Sequence, residues 1–352
     1  MKRNQRQQEI FGAPGKTVSQ MDVARAMGVS IATISRVLSG KADMVRCVAP
    51  ETVKKVRDTA ARLGYRMNFA GRMLRTRRAN AVGLLFSSMS PFYLEIVPEL
   101  QRCLFARGYA ALCGFWTAEQ DAEPTISAIV ERDVDGIITC HWPDVMRRLA
   151  GDIPTVFYLG HDPTLDCVNC DYSLDAAFAH LAGLGHRRVL LCGVSPPDVA
   201  SFPGLTIEYA DLRHGLRAER HDGLDEIAQR FFARRAASTR PTAAICVGDY
   251  TAATLAALLA RCGIRVPEDV SLIATGTSRA YETAVPPVTT FGVGAGTLAQ
   301  ALVDALFFRL ENPDAPPQQI VLGRELTVRS STAARDDLQV TGRPARGIRA
   351  KV

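Results

Sequence analysis

From Val23 to Leu38 the apolar positions keep helical intervals on either side of one glycine. Val23, Ala24 and Met27 make one stripe, Gly28 interrupts it, and Ile34, Val37 and Leu38 resume it. The spacing predicts two short helices, Gln20 to Met27 and Ile31 to Leu38, joined by a tight turn. Ser19 with Asp22 three residues later has the form of a capping box, and Ser30 can cap the second helix. After a loop containing Gly40, Ala42 and Asp43, Pro50 suits the first turn of a third helix. On it Val53, Val56, Ala60 and Leu63 share a face, and Gly64 ends it. Helices this short are marginal alone in water, but three can bury one small core.

From Ala81 the period changes. Apolar runs (AVGLLF, YAALCGF, DGIITC, PTVFYL, RRVLLCG, AAICVG and VSLIATG) each precede a polar or amphipathic stretch. Parallel strands joined by crossover helices satisfy that alternation, giving an α/β body.

Composition narrows the function. The chain has 352 residues, enough for two or three domains, with ordinary globular proportions of 47% hydrophobic and 22% charged. The net charge of +6 is unevenly spread: residues 1–80 hold 17 Lys/Arg against 5 Asp/Glu, and the remainder 25 against 31. A basic segment on an acidic body is the footprint of a nucleic-acid binder, with a solvated basic tail as the bland alternative. The start, MKRNQRQQEI, has no apolar run of the kind a secretory signal needs, and no stretch approaches a membrane span, so a cytoplasmic protein is expected. Nine cysteines scattered through apolar runs suit reduced, buried thiols.

Several motifs fall away. Gly12 to Thr17, GAPGKT, ends like a phosphate loop but has Ile10 where that motif requires its first glycine. Cys167 and Cys170 have zinc-ligand spacing without a second pair. There is no Gly-x-Ser-x-Gly elbow and no His-Glu-x-x-His pair, so no enzyme, metal site or cofactor is expected.

In a helix-turn-helix the second helix offers its first residues to the major groove, here Ser30, Ile31, Ala32, Thr33, Ser35 and Arg36. Hydroxyls and N–H groups at a helix start can hold phosphates, Ile31 and Ala32 can rest on thymine methyls, and Arg36 can grip guanine O6 and N7. Taken alone, these helices are also compatible with simple packing on a neighbouring domain.

DVARAMGVSIATISRVLSG, then PETVKKVRDTAARLGY, then Asn68 to Leu74 resemble the headpiece of the lactose/galactose repressor (LacI/GalR) family of bacterial transcription regulators. AVGLLFSSMSPFYLEIVPELQRCLFARGY, HLAGLGHRRVLLCG, GIRVPEDVSLIATG and PPVTTF are similar to that family's effector-binding core. The resemblance spans about residues 17–330. It implies a disordered basic arm (1–16), a headpiece (17–66), a hinge (67–79), a two-lobed core of the periplasmic-binding-protein type (80–330) and a flexible tail (331–352). It also implies DNA contacts from Ser19, Ser39, Asn68 and Arg72 beside the recognition residues, with Leu74 wedged into the minor groove at the operator centre. Met67 and Gly71 depart from the common hinge residues, which predicts a looser hinge without DNA.

The family fold places the first lobe at about 80–160 with a return near 291–320. The second is placed at about 161–290 with a strand near 320–330. An effector would lie between them, at the carboxyl ends of the strands. Phe92 and Tyr93 fill the usual aromatic wall. Cys140, Leu159, Leu212 and Gly276 stand where polar or charged residues are common, and Gly248-Asp249 where Asn-Asp is common. The expectation is a homodimeric regulator of a pseudo-palindromic operator, governed by an effector other than a simple sugar. The alternatives are the same regulator with an empty cleft, and a solute-binding protein. The tail AARDDLQVTGRPARGIRAKV lacks a leucine heptad, which argues against a coiled-coil tetramer.

Overall fold

The computed structural model describes residues 18–38, 42–65, 78–87, 91–140, 143–160, 162–193, 202–211, 222–236, 238–248 and 251–335. The chain forms two compact units, residues 1–77 and 78–352.

The first unit is helical. α1 (Gln20–Met27) and α2 (Ile31–Leu38) have the bounds the apolar spacing predicts. Ser19 closes a capping box: its N–H donates to the Asp22 carboxylate at 2.9 Å and its Oγ accepts from the Asp22 N–H at 3.3 Å. Gly28 ends α1 at φ 67°, a left-handed conformation that a side chain would strain. α3 (Ala42–Arg46) lies where a loop was expected, too short for a five-residue run to reveal a period. α4 (Pro50–Arg62) starts on the expected proline. Val23, Ala24, Ile34, Val37, Val56 and Ala60 are the buried core that α1, α2 and α4 share.

The second unit holds two six-stranded sheets of the same connectivity. β1 (Ala81–Phe86), α5 (Pro91–Ala106), β2 (Ala110–Phe115), α6 (Ala122–Val130), β3 (Gly136–Cys140), α7 (Pro143–Ala150), β4 (Thr155–Tyr158) and β5 (Asp166–Cys170) build the first lobe. The second follows with α8 (Asp175–Gly183), β6 (Arg188–Gly193), β7 (Thr206–Asp211), α9 (Asp222–Ile227) running into a π-helical turn at Ala228–Ala233, β8 (Ala243–Val247), α10 (Thr251–Arg261), β9 (Ser271–Thr275), α11 (Arg279–Glu282) and β10 (Thr289–Gly292). α12 (Ala295–Glu311) and β11 (Gln319–Leu322) return to the first lobe, and β12 (Glu325–Thr327) to the second. The strand orders are β11-β5-β4-β3-β1-β2 and β12-β10-β9-β8-β6-β7. Every pairing is parallel except that of β12 with β10.

This connectivity corrects the expected lobe limits. β5, expected in the second lobe, pairs with β4, and β11 pairs with β5, so both belong to the first. β10 straddles the expected limit near residue 290 and pairs with β9 in the second lobe. Lobe membership depends on strand pairing between distant segments, which local patterning does not carry. Cys167 and Cys170 lie three apart on β5 and therefore point to opposite faces, into different core clusters, a geometry unfit for one zinc ion. Residues 331–335, expected in the flexible tail, are anchored: the buried Ser331 hydroxyl donates to the Leu272 carbonyl at 2.6 Å, and the Arg335 N–H to the Leu184 carbonyl at 2.7 Å.

His186 is fully buried beneath the second sheet, its Nδ1 2.9 Å from Thr242 Oγ1 and its Nε2 3.0 Å from Ser271 Oγ. Burial lowers its pKa to about 4. The folded protein therefore resists protonation while the unfolded chain accepts a proton near pH 6.5, so this stability is present above that value and is lost as pH falls towards 4. From about pH 7 to about pH 5 the loss is about 2 kcal/mol. Urea unfolding at both pH values should show that extra loss in the wild type relative to His186→Asn, and parallel pH dependences would contradict the assignment.

Candidate nucleic-acid interface and ligand site

α2 separates its residues by face. Ile34 and Val37, three apart, point into the core, which leaves Ile31, Ala32 and Arg36 exposed and Thr33 and Ser35 half-buried. The start of the helix is held by Ser30, whose Oγ accepts from the Thr33 N–H at 3.2 Å and lies 2.9 Å from Thr33 Oγ1. An exposed isoleucine (47% accessible), an alanine and an arginine on one capped helix end give apolar contact and a two-pronged donor on a single surface. Ser19 is exposed at the start of α1, while Ser39, Asn68, Arg72 and Leu74 lie outside the described residues.

In the second unit each sheet reverses its strand order beside its first strand, between β1 and β3 and between β6 and β8. A crevice at the carboxyl ends follows from such a reversal. Phe92 and Tyr93 start α5 at that point in the first lobe, and Cys140 ends β3. Tyr93 and Cys140 are buried, and their Oη and Sγ lie 2.8 Å apart, so these two satisfy each other inside the core. Phe92 remains half-buried, with its ring 5.5 Å from Tyr158 and 5.4 Å from Tyr93. Leu159 packs against the same cluster at φ 64°, an uncommon conformation for a branched residue. Burial raises the thiol pKa of Cys140 against the opposing Tyr93 bond, and that of Cys170 against Tyr158 and Arg324. Cys246 is raised by its bond to Cys192 and then by burial. These thiols are protonated packing groups.

Gly276 ends β9 at φ 133°, its N–H donating to the Phe291 carbonyl at 3.1 Å. A Cβ on Gly292 would come within 3.0 Å of the Gly276 backbone. At that φ a side chain on residue 276 is strained, so an aspartate there would need a different backbone path. Leu212 and Asp249 lie outside the described residues.

Sequence reasoning missed the residues that join the lobes. Glu95, one turn into α5, accepts from Ser278 Oγ at 2.7 Å and from the Arg279 N–H at 2.8 Å, both just beyond the carboxyl end of β9. Within the second lobe, Tyr281 donates to the Gly248 carbonyl at 3.2 Å. Tyr158, Tyr172 and Arg324 were also missed. Tyr158 was visible as the polar end of an apolar strand, whereas Arg324 carries no local signal. Among the described residues no cluster of three or more His, Cys, Asp or Glu could hold a metal, and no helix is long and apolar enough to cross a membrane.

Two family models match: "Bacterial regulatory proteins, lacI family" over residues 21–68 and "Periplasmic binding protein-like domain" over residues 178–332. A helix-turn-helix unit followed by a two-lobed ligand-binding fold defines a ligand-responsive DNA-binding protein. The chain carries a lacI-family regulatory domain followed by a periplasmic-binding-protein-like domain and is a DNA-binding transcriptional regulator. The ribose operon repressor of Escherichia coli (strain K12) is 28% identical over 335 residues, covering 88% of this chain and 98% of the relative. The transcriptional repressor PurR of Pasteurella multocida is 26% identical over 342 residues, covering 89% and 98%. A lac repressor dimer bound to operator and the anti-inducer ONPF matches with a TM-score of 0.68 at 19% identity, covering 91% of this chain and all of that one. These relatives are repressors, not enzymes.

The Glu95 contact makes a local prediction. Glu95→Ala should speed hydrogen exchange at the Arg279 amide by about tenfold or more, because a local bond and not global unfolding protects it. Unchanged protection would contradict the lobe-to-lobe bond.

Proposed function

We propose that the protein is a cytoplasmic repressor that binds a pseudo-palindromic operator as a homodimer, with a small molecule between the lobes altering operator affinity. The capped end of α2, with Ile31, Ala32 and Arg36 outward and Ile34 and Val37 inward, is the observation that carries the DNA reading. One such end offers few base contacts. Two related by a twofold axis double them and fix the half-site spacing. A dimer is supported by an apolar stripe on α5, where Leu94 (56% accessible), Pro98 and Phe105 (80% accessible) recur on one outward face. Leu74, Arg72 and Asn68 are assigned to the hinge contacts and Ser19 and Ser39 to phosphates, as the family pattern implies.

For the ligand, Tyr93 and Cys140 are already paired and Phe92 lies on Tyr158, so the first-lobe wall is largely aromatic. Each sugar hydroxyl buried without a partner would cost about 1–3 kcal/mol. We therefore assign the cleft an effector less polar or larger than a monosaccharide, with Leu159 and Leu212 adding apolar surface and Asp249 accepting from a donor group. Common pentoses and hexoses should show no micromolar binding by calorimetry, and tight binding of any of them would refute the assignment.

Selection of bound sequences from random DNA should return an inverted repeat. Arg36→Ala should cost about 1–3 kcal/mol per half-site and relax preference at one base pair. Leu74→Ala should weaken operator binding far more than non-specific binding, since the wedge acts only on kinked DNA. Phe105→Glu should yield monomers in sedimentation and lose the preference for an inverted repeat. An unchanged sequence preference in Arg36→Ala, or a monomer on the operator, would overturn the reading.

A further inference from the structure

The chain passes between the lobes at residues 171–174, 293–294 and 323–324, and all three crossings converge near one side chain. Arg324 lies on the last of them, half-buried. Its guanidinium carbon is 5.7 Å from the ring centre of Tyr172 on the first crossing and 5.9 Å from that of Phe291, which precedes the second. Three other partly buried arginines of this unit hold a carboxylate: Arg309 pairs with Asp166 at 2.7 Å, Arg235 with Glu208 at 2.7 Å and Arg329 with Glu282 at 3.3 Å. Among the described residues Arg324 has no such partner, and its charge lies near the Cys170 thiol.

A second donor meets the same thiol. Tyr158 is 8% exposed, and among the described residues its hydroxyl finds only Cys170 Sγ, at 3.8 Å. A guanidinium and a buried phenol thus lie beside a weak acceptor, and among the described residues no carboxylate meets either. A carboxylate supplies two acceptor oxygens in the plane a guanidinium fork fits, and the phenol can donate to the same group. The walls around it are the rings of Tyr172 and Phe291 and that of Phe92 on Tyr158. A single cation suits a monoanion better than a phosphate dianion.

We propose that Arg324 and Tyr158 form a carboxylate-recognition site, and that the cleft ligand is an organic carboxylate with an aromatic or apolar body. The proposal rests on the reading of the cleft as a ligand site and adds the chemical class. Calorimetric titration of the full chain with benzoate, phenylacetate and 3-phenylpropionate, each beside its primary amide, and with inorganic phosphate, tests it. At least one carboxylate should bind about tenfold or more tightly than its amide, and phosphate more weakly than that carboxylate. Arg324→Gln should abolish the preference, Arg324→Lys should retain part of it, and Tyr158→Phe should reduce it. Should Arg324→Gln fail to fold by circular dichroism, the other two variants carry the comparison. No carboxylate binding better than its amide, a preference that survives in these variants, or phosphate binding as tightly as the best carboxylate would overturn the proposal. Operator affinity measured with and without the bound carboxylate separates the two readings. Binding that depends on Arg324 but leaves operator affinity unchanged supports the site and counts against the regulatory role of the cleft.

Discussion

The three passages of the chain between the two sheets constrain everything else in the second unit. Because residues 171–174, 293–294 and 323–324 all tie the same two lobes, one lobe can move against the other only through torsions in these few residues. Hinge motions of ligand-binding folds use such short segments. The crossings also bring together side chains far apart in sequence, and this is how Tyr172, Phe291 and Arg324 become neighbours. Away from the crossings, Glu95 bonds to Ser278 and Arg279, so the lobes touch at the carboxyl ends of their strands as well.

Rigidity within each lobe makes the joint meaningful. The first sheet is covered on one face by α5 and α12, around Leu84, Ile96, Leu100, Leu302 and Leu306, and on the other by α6 and α7. Both faces being buried explains why its strands read as unbroken apolar runs. The helical unit lies at the other extreme. Among the described residues six buried side chains form its core, so local devices such as the Ser19–Asp22 box and the Gly28 turn supply a larger share of its order.

What the sequence revealed follows the same physics. α1 and α2 were legible to the residue because each has a cap, an apolar stripe and a breaker. β1, β3 and β8 were legible as apolar runs. β5, Asp166 to Cys170, hid its strand character behind an aspartate and an asparagine. That aspartate is buried because Arg309 from α12 pairs with it, a contact across 143 residues. β10, β11 and β12 span only three or four residues each, too few to show alternation, and the pairing of β5 with β4 and β11 moved the lobe limits from where the family resemblance placed them. At the site, Phe92 and Tyr93 were named through the family resemblance as an aromatic wall. The burial of Tyr93 against Cys140 was not, since it depends on β3 lying beside β1. Glu95 and Arg324 were illegible because their meaning lies entirely in distant partners.

The central claim is that the state of the lobe-to-lobe joint governs operator binding, and the Glu95 contact exposes that claim to a direct measurement. Operator and non-specific DNA affinities of the wild type and Glu95→Ala should be compared by fluorescence anisotropy at one fixed salt concentration. A coupling free energy of about 1 kcal/mol or more, a shift of about fivefold or more in operator affinity with non-specific affinity unchanged, is the result this account predicts. Identical operator affinities in the two proteins would contradict it.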